Sequence, residues 1–162
     1  MKEPLLVADS GPIIALAKLG RLEILRELAG RLIVPPAVWR EVTSEKPDLA
    51  DALAVTKATW IEVIAPTKPL PGVVHQDLGP GEVEAMRLAF ELREGRLLLD
   101  ETLGRREALR LKLHIIGTVG LLIRAEEAGL VRSARAEAQN LARAGYYLAP
   151  ALLSAAFGPN RE

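Results

Sequence analysis

Two carboxylates follow short apolar runs directly: Asp9 closes Leu5-Leu6-Val7-Ala8, and Asp100 closes Arg96-Leu97-Leu98-Leu99, with Glu101 next. Two more stand in helical patterns. Ala85, Leu88, Ala89 and Leu92 recur at helical spacing, and Glu82 extends that apolar stripe, lying three residues before Ala85 and seven before Ala89. Glu84, Arg87, Glu91 and Glu94 form the opposite row, which is expected to face solvent. Glu41 stands three residues after Val38 and next to Val42, on the inner side of a Pro36–Val42 helix. Taken singly, each acid has an ordinary use: Asp9 in a turn, Asp100 as a helix cap, Glu82 in a first turn favoured by the helix dipole, Glu41 at a helix end. Gathered in one crevice, they would repel and raise one another's pKa unless a cation sat among them. An all-oxygen ligand set selects Mg²⁺ or Mn²⁺ over zinc. Such an ion polarises a phosphate and lowers the pKa of a bound water, so the chemistry within reach is metal-assisted phosphodiester hydrolysis.

Other chemistries have less to stand on. The chain has no cysteine, which excludes disulfides, thiolate catalysis and Cys-based zinc sites. His75 and His114 have no partner at ligand spacing, no serine lies in a Gly-x-Ser-x-Gly elbow, and no Gly-rich phosphate loop with a following lysine occurs. Arg105 and Arg106 follow Asp100 by about one helical turn, and they could meet a substrate phosphate or form a solvated basic face. Aromatic residues make up only 4% of the chain, so platforms on which bases could stack are scarce.

The acids need a scaffold that brings strand ends together. Five apolar runs read as buried strands: Leu5–Ala8, Arg31–Val34, Trp60–Ile64, Arg96–Leu99 and His114–Ile116. They lack apolar/polar alternation and are separated by helical segments, the pattern of a parallel sheet covered on both faces. Helices are expected over Ser10–Leu19, with Ser10 as its cap, and over Arg21–Ala29, Pro36–Val42, Glu82–Glu94, Thr102–Lys112, Thr118–Ala128, Ser133–Ala144 and Ala151–Phe157. The Pro66–Gly79 stretch, with three prolines at 66, 69 and 71, reads as the longest loop. The fold class is therefore α/β, an open three-layer sandwich in one domain over 1–162. In such sheets ligands bind in the crevice at the carboxyl ends of the strands, where Asp9 and Asp100 stand.

With 162 residues, 49% hydrophobic and 26% charged, the chain can bury a sizeable core. No apolar run approaches the roughly 20 residues needed to span a bilayer. Met1-Lys2-Glu3-Pro4 carries no signal-peptide cleavage pattern, so a cytoplasmic location and no membrane partner are expected. The 21 basic and 21 acidic side chains cancel. That balance is unlike the basic footprint usual for nucleic-acid binding, although an acidic metal site can mask a basic surface.

Five segments stand in order along the chain, beginning with Asp9 and Ser10-Gly11-Pro12-Ile13-Ile14-Ala15-Leu16-Ala17-Lys18, then Val34-Pro35-Pro36-Ala37-Val38 leading to Glu41. Gly81-Glu82-Val83-Glu84-Ala85, Leu97-Leu98-Leu99-Asp100-Glu101 leading to Gly104-Arg105-Arg106, and Gly117-Thr118-Val119-Gly120 complete the set. In their order and spacing the chain resembles the PIN-domain family, and within it a prokaryotic subgroup known as a domain of unknown function. The resemblance runs from Val7-Ala8-Asp9-Ser10 to about Tyr147. The resemblance implies a five-stranded sheet in the order 3-2-1-4-5. It also implies a catalytic quartet of Asp9, Glu41, Glu82 and Asp100, and Mg²⁺ or Mn²⁺ held by Asp9, Glu82 and Asp100 with Glu101 as a peripheral ligand. Thr118 matches a position where a small hydroxyl helps orient water or substrate, and it could equally be a plain helix-start residue. Many active members carry Asp where this chain has Glu82, and an Asp pair where it has Asp100-Glu101. The activity implied is cleavage of RNA, as the toxin half of a toxin–antitoxin pair; the alternative is a catalytically impaired module that binds RNA or a protein.

The helices at 12–19 and 21–29 carry Ile13, Ile14, Leu16, Leu19, Leu22, Ile24, Leu25 and Leu28, more apolar surface than one covering stripe needs. With Tyr146, Tyr147, Leu148, Leu152, Leu153 and Phe157 near the end, this leads us to expect a homodimer and a groove for a small antitoxin-like partner.

Overall fold

The computed structural model describes residues 5–45, 49–93 and 95–159. The strands are β1 (Leu6–Ala8), β2 (Leu32–Val34), β3 (Ile61–Val63), β4 (Arg96–Leu98) and β5 (Ile115–Ile116). They form one parallel sheet in the order β3-β2-β1-β4-β5, with helices on both sides. The central strands β1 and β2 are buried at every position, while Glu62 and Val63 of the edge strand β3 reach solvent. Strands buried on both faces need no alternation, which is why the sequence shows apolar runs.

The helices are α1 (Ser10–Lys18), α2 (Glu23–Leu28), α3 (Pro36–Arg40), α4 (Leu49–Lys57), α5 (Pro80–Leu92), α6 (Thr102–Arg110), α7 (Thr118–Glu127), α8 (Ala134–Arg143) and α9 (Pro150–Phe157). Pro36, Pro80 and Pro150 each open a helix, where a missing N–H costs nothing. Residues 64–79 contain no helix or strand, as the proline spacing suggests. α5 packs on β1 and β4, so Ala85, Met86, Leu88 and Ala89 are buried against the centre of the sheet.

Several local expectations need correction. Ser10 is the first residue of α1 and not its cap; Asp9 holds the N-cap position, and the Ser10 hydroxyl is turned to Glu41. α3 ends at Arg40 and runs into a single π turn over Glu41–Glu45, a wider turn that often marks functional sites. α4 has no counterpart among the expected helices; its Asp51 is buried and paired with Lys18 of α1 at 3.2 Å. The row opposite the buried stripe of α5 is not simply solvated. Glu84 accepts from the Ala37 amide at 2.8 Å, Arg87 donates to the Lys68 carbonyl at 2.8 Å, and Glu91 holds Thr67. That face anchors α3 and the long loop; Glu94 lies outside the described residues.

The apolar surplus of α1 and α2 is absorbed within the chain. Ile13, Leu16, Leu22, Ile24, Leu25 and Leu28 are buried, and Ile14 and Leu19 pack against the core. Those two helices therefore offer no support for a dimer face. The exposed apolar surface lies elsewhere, at Tyr147 and Leu152 among others, and α9 buries none of its residues.

Candidate active site

Parallel pairing of β1 with β4 sets Ala8 opposite Leu98, and the Asp9 amide continues the ladder onto the Leu98 carbonyl at 3.0 Å. Asp9 and Asp100 thus leave the carboxyl ends of adjacent strands, which lie about 4.8 Å apart in such sheets. Asp9 is buried, and although it occupies the N-cap of α1 its side chain makes no capping hydrogen bond. The cap of α6 is Glu101, whose carboxylate accepts from the Gly104 amide at 2.7 Å. That leaves Asp100 available for a different role.

Asp100 reaches across to the start of α7. Its Oδ1 accepts from the Thr118 amide at 2.7 Å, and its Oδ2 accepts from the Thr118 hydroxyl at 2.5 Å and the Tyr146 hydroxyl at 2.5 Å. Thr118 is fully buried, so any positioning it does is of this carboxylate. Burial, then the charge of Asp100, push the Tyr146 phenol far above its usual range, which keeps it a proton donor. Tyr146 is a residue of the site that sequence reasoning assigned only to a possible interface. Its separation of 46 positions from Asp100 left no local pattern to find.

Glu82 projects from the first turn of α5, where its Oε1 accepts from the Gly79 amide at 3.3 Å. Its Oε2 is buried with no N–H or O–H donor among the described residues. Burial, followed by Glu101 and the negative charge of Asp9, raises the Glu82 pKa from 4.5 to about 7. Burial acts on Glu101 in the same direction, but the Gly104 amide, Glu82 and the Leu103 amide outweigh it and hold Glu101 below its ordinary value. Two facing carboxylates can join only through a shared proton or a shared cation, so Glu82 and Glu101 are a natural place for either. Glu41 is buried in the π turn and accepts from the Ser10 hydroxyl at 2.7 Å.

Close approach among these groups depends on glycine. A methyl group at Gly81 would stand 2.7 Å from Glu41 Oε1, and one at Gly104 would stand 2.8 Å from Glu82 Oε2. At Gly117 it would stand 2.6 Å from an Arg105 guanidinium nitrogen and 3.0 Å from Asp100 Oδ1. The arginine also donates to the Leu99 carbonyl at 3.3 Å, which seats it beside Asp100. Arg106 is exposed on the same helix. Asp9, Asp100, Glu101, Arg105 and Arg106 all line one cleft of about 790 Å³.

The approaches at Gly81 and Gly104, and the effect of Asp9 and Glu101 on Glu82, place the five acids near one another at one end of the fold. Their side chains do not converge as expected: among the described residues no three acids form a ready cluster around one ion position. Asp100 is turned to Thr118 and Tyr146, Glu41 to Ser10, and Glu101 to Gly104. In donor chemistry and charge the set suits a hard divalent cation. The buried Glu82 oxygen with its raised pKa marks where negative charge is least compensated. Binding an ion through Asp100 would require that side chain to give up part of its present bonding.

No curated protein matches the chain. Among solved structures it is similar to a PilT N-terminus domain protein, SSO1118, from the hyperthermophilic archaeon Sulfolobus solfataricus P2. The match has a TM-score of 0.56 and 21% identity, covering 75% of this chain and 92% of the other, a likeness of fold. A family model described as DUF3368: PIN domain matches residues 5–159. PIN domains are typically nucleases and generally use divalent metal ions. With strand order, strand-end acids and a match over nearly the whole length in agreement, the chain belongs to the PIN-domain family DUF3368.

Proposed function

We propose that the protein is a Mg²⁺- or Mn²⁺-dependent endoribonuclease. The observation that carries the proposal is the gathering of Asp9, Glu41, Glu82, Asp100 and Glu101 at the carboxyl ends of β1 and β4, walled by glycines and opening into a cleft that also holds arginines. Asp9, Glu82 and Asp100 would hold the ion, with Glu101 at the margin and Glu41 behind. When bound, the ion supplies polarisation of the scissile phosphate and a water of lowered pKa. Thr118 and Tyr146 hold the Asp100 carboxylate through three hydrogen bonds, part of which it would exchange for the ion. Arg105 and Arg106 offer planar donors for substrate phosphate oxygens.

The biological role we assign is that of a cytoplasmic toxin controlled by a small partner protein that inserts a basic side chain among the acids, the toxin acting as a homodimer. Among the described residues no helix is long and apolar enough to cross a membrane. A second reading, an RNA- or protein-binding module with impaired catalysis, is favoured by one observation: the acids are not drawn together into a ready metal cluster. Calorimetric titration with Mn²⁺ separates the two. The nuclease requires saturable binding that is weakened in Asp9→Asn and Glu82→Gln; absence of binding in the native protein leaves the binding module. Light scattering at micromolar concentration tests the dimer, and a clean monomer refutes it.

A further inference from the structure

The cleft lined by Asp9, Asp100 and Glu101 is also lined by side chains of different chemistry. Both tyrosines of the chain stand there, at consecutive positions in the segment between α8 and α9, which is neither helix nor strand. Tyr146 turns inward to Asp100, Leu148 is buried, and Tyr147 between them is 80% exposed. An exposed ring whose two neighbours are anchored is displayed on a fixed segment, so little ordering entropy is lost when something packs on it. Six large apolar side chains are exposed among the described residues, and three of them, Leu109, Tyr147 and Leu152, line this one cleft. Leu109 comes from α6, the helix that also presents Arg105 and Arg106 to the cleft.

A flat aromatic ring sharing a cleft with aliphatic side chains and with arginines matches the way unpaired bases are held. The base lies on the ring and the neighbouring phosphate meets the guanidinium. The charge decides against an apolar protein surface as the intended occupant. Arg105 is already seated beside Asp100, but such a surface would cover the exposed Arg106, at a cost that a phosphate removes. A cleft of about 790 Å³ also falls within the range, about 300–1,000 Å³, that pockets for small organic groups occupy.

We propose that Tyr147, in the cleft it shares with Leu109 and Leu152, is a stacking subsite for one unpaired base of a single-stranded nucleic acid, whose adjoining phosphate is met by Arg105 and Arg106. This rests on the reading of the acid cleft as a nuclease centre, and it adds a base-holding subsite at a fixed offset from the acids. Recognition by stacking tolerates any base, so the subsite selects single strands over duplexes and reads no particular sequence.

The test is fluorescence anisotropy with short, end-labelled single-stranded RNA in Mg²⁺ at early times, with cleavage of the same samples followed on gels. One set of RNAs carries a single abasic nucleotide moved along the strand. Tyr147→Ala is expected to weaken binding about five- to 150-fold, the range of base–aromatic stacking, and Tyr147→Phe to restore it. In the native protein one abasic position should weaken binding comparably, and Tyr147→Ala should be insensitive to that position. Equal binding by native protein and Tyr147→Ala overturns the subsite. So does a loss in Tyr147→Ala that is equal for abasic and intact RNA, or that Tyr147→Leu repairs as well as Phe does; either result assigns Tyr147 to an apolar contact. Far-ultraviolet circular dichroism of each variant excludes unfolding as the cause. Binding that follows this pattern without cleavage in any metal removes the nuclease reading alone, whereas cleavage without the pattern removes the subsite alone.

Discussion

Glu82→Gln should make the metal-free protein more stable, and only on the alkaline side. Glu82 has its pKa raised from 4.5 to about 7 by burial, by Glu101 and by Asp9. Between those two values the folded chain binds more protons than the unfolded chain, so stability falls as pH rises through the window. At about 1.36 kcal/mol per pH unit the full effect would be about 3 kcal/mol. The carboxyl is only half buried, and solvent screening reduces this to ~1–2 kcal/mol. Glu101, with its pKa held low, acts with the opposite sign and in a lower window: its contribution is present above the ordinary Glu value and lost below it. The fall between pH 5 and pH 8 is therefore assigned to Glu82. Glutamine keeps an oxygen for the Gly79 amide and removes the charge. In EDTA at pH 8 the variant should melt about 2–8 °C above the native protein, taking about 2–4 °C per kcal/mol for a domain of this size. At pH 5 the two should nearly coincide. Addition of Mg²⁺ should close the gap at pH 8 by stabilising the native protein. Thermal melts followed by circular dichroism provide the data. Identical melts at pH 8, or a gap larger at pH 5, would show that the carboxylates are not crowded and remove the electrostatic basis for a cation there.

Three further substitutions test the surroundings. Glu84→Ala should cost ~1 kcal/mol in urea unfolding, because Glu84 caps the Ala37 amide at the start of α3; a neutral result would return that face to solvent. Gly95→Ala should cost ~1–3 kcal/mol, since its methyl group would lie 2.8 Å from the Leu5 backbone carbonyl, which cannot move without disturbing β1 against β4. Stability equal to the native protein would contradict the approach of those segments. Asp100→Asn removes one acceptor oxygen from a carboxylate that takes three hydrogen bonds, so a loss of ~1 kcal/mol is expected where charge relief alone would predict a gain; a higher melting temperature in EDTA would show that repulsion outweighs those bonds.

The fold could be read from the chain because its signals are local. Each strand lies in a mostly apolar run, those of β1 and β4 ending at Asp9 and Asp100, and prolines and glycines punctuate the helices. Helix α4 escaped because Leu49, Leu53 and Val55 give little periodicity, and Leu53 remains exposed. The inward direction of Glu82 followed from its offset to Ala85 and Ala89, and the burial of those two alanines agrees with it. The partners of Asp100 could not be read in the same way. Thr118 lies 18 positions away and Tyr146 lies 46, and both meet it only because the sheet closes β4 onto β5 and returns the chain over the cleft. Glu84 misled for a related reason: its helix face was inferred correctly, but what would pack there depended on α3, far away in sequence. Periodicity reports which way a side chain points, and only the assembled fold reports what it meets.

The most direct test of the account is cleavage of labelled single-stranded RNA by metal-stripped protein, refilled with Mg²⁺ or Mn²⁺, comparing the native chain with Asp9→Asn. The native protein should make internal cuts that depend on added metal and disappear in EDTA, and Asp9→Asn should lose them while its circular dichroism is unchanged. Cutting that persists in EDTA, or that survives in Asp9→Asn at the native rate, would contradict the assignment of these carboxylates as a metal-dependent catalytic centre.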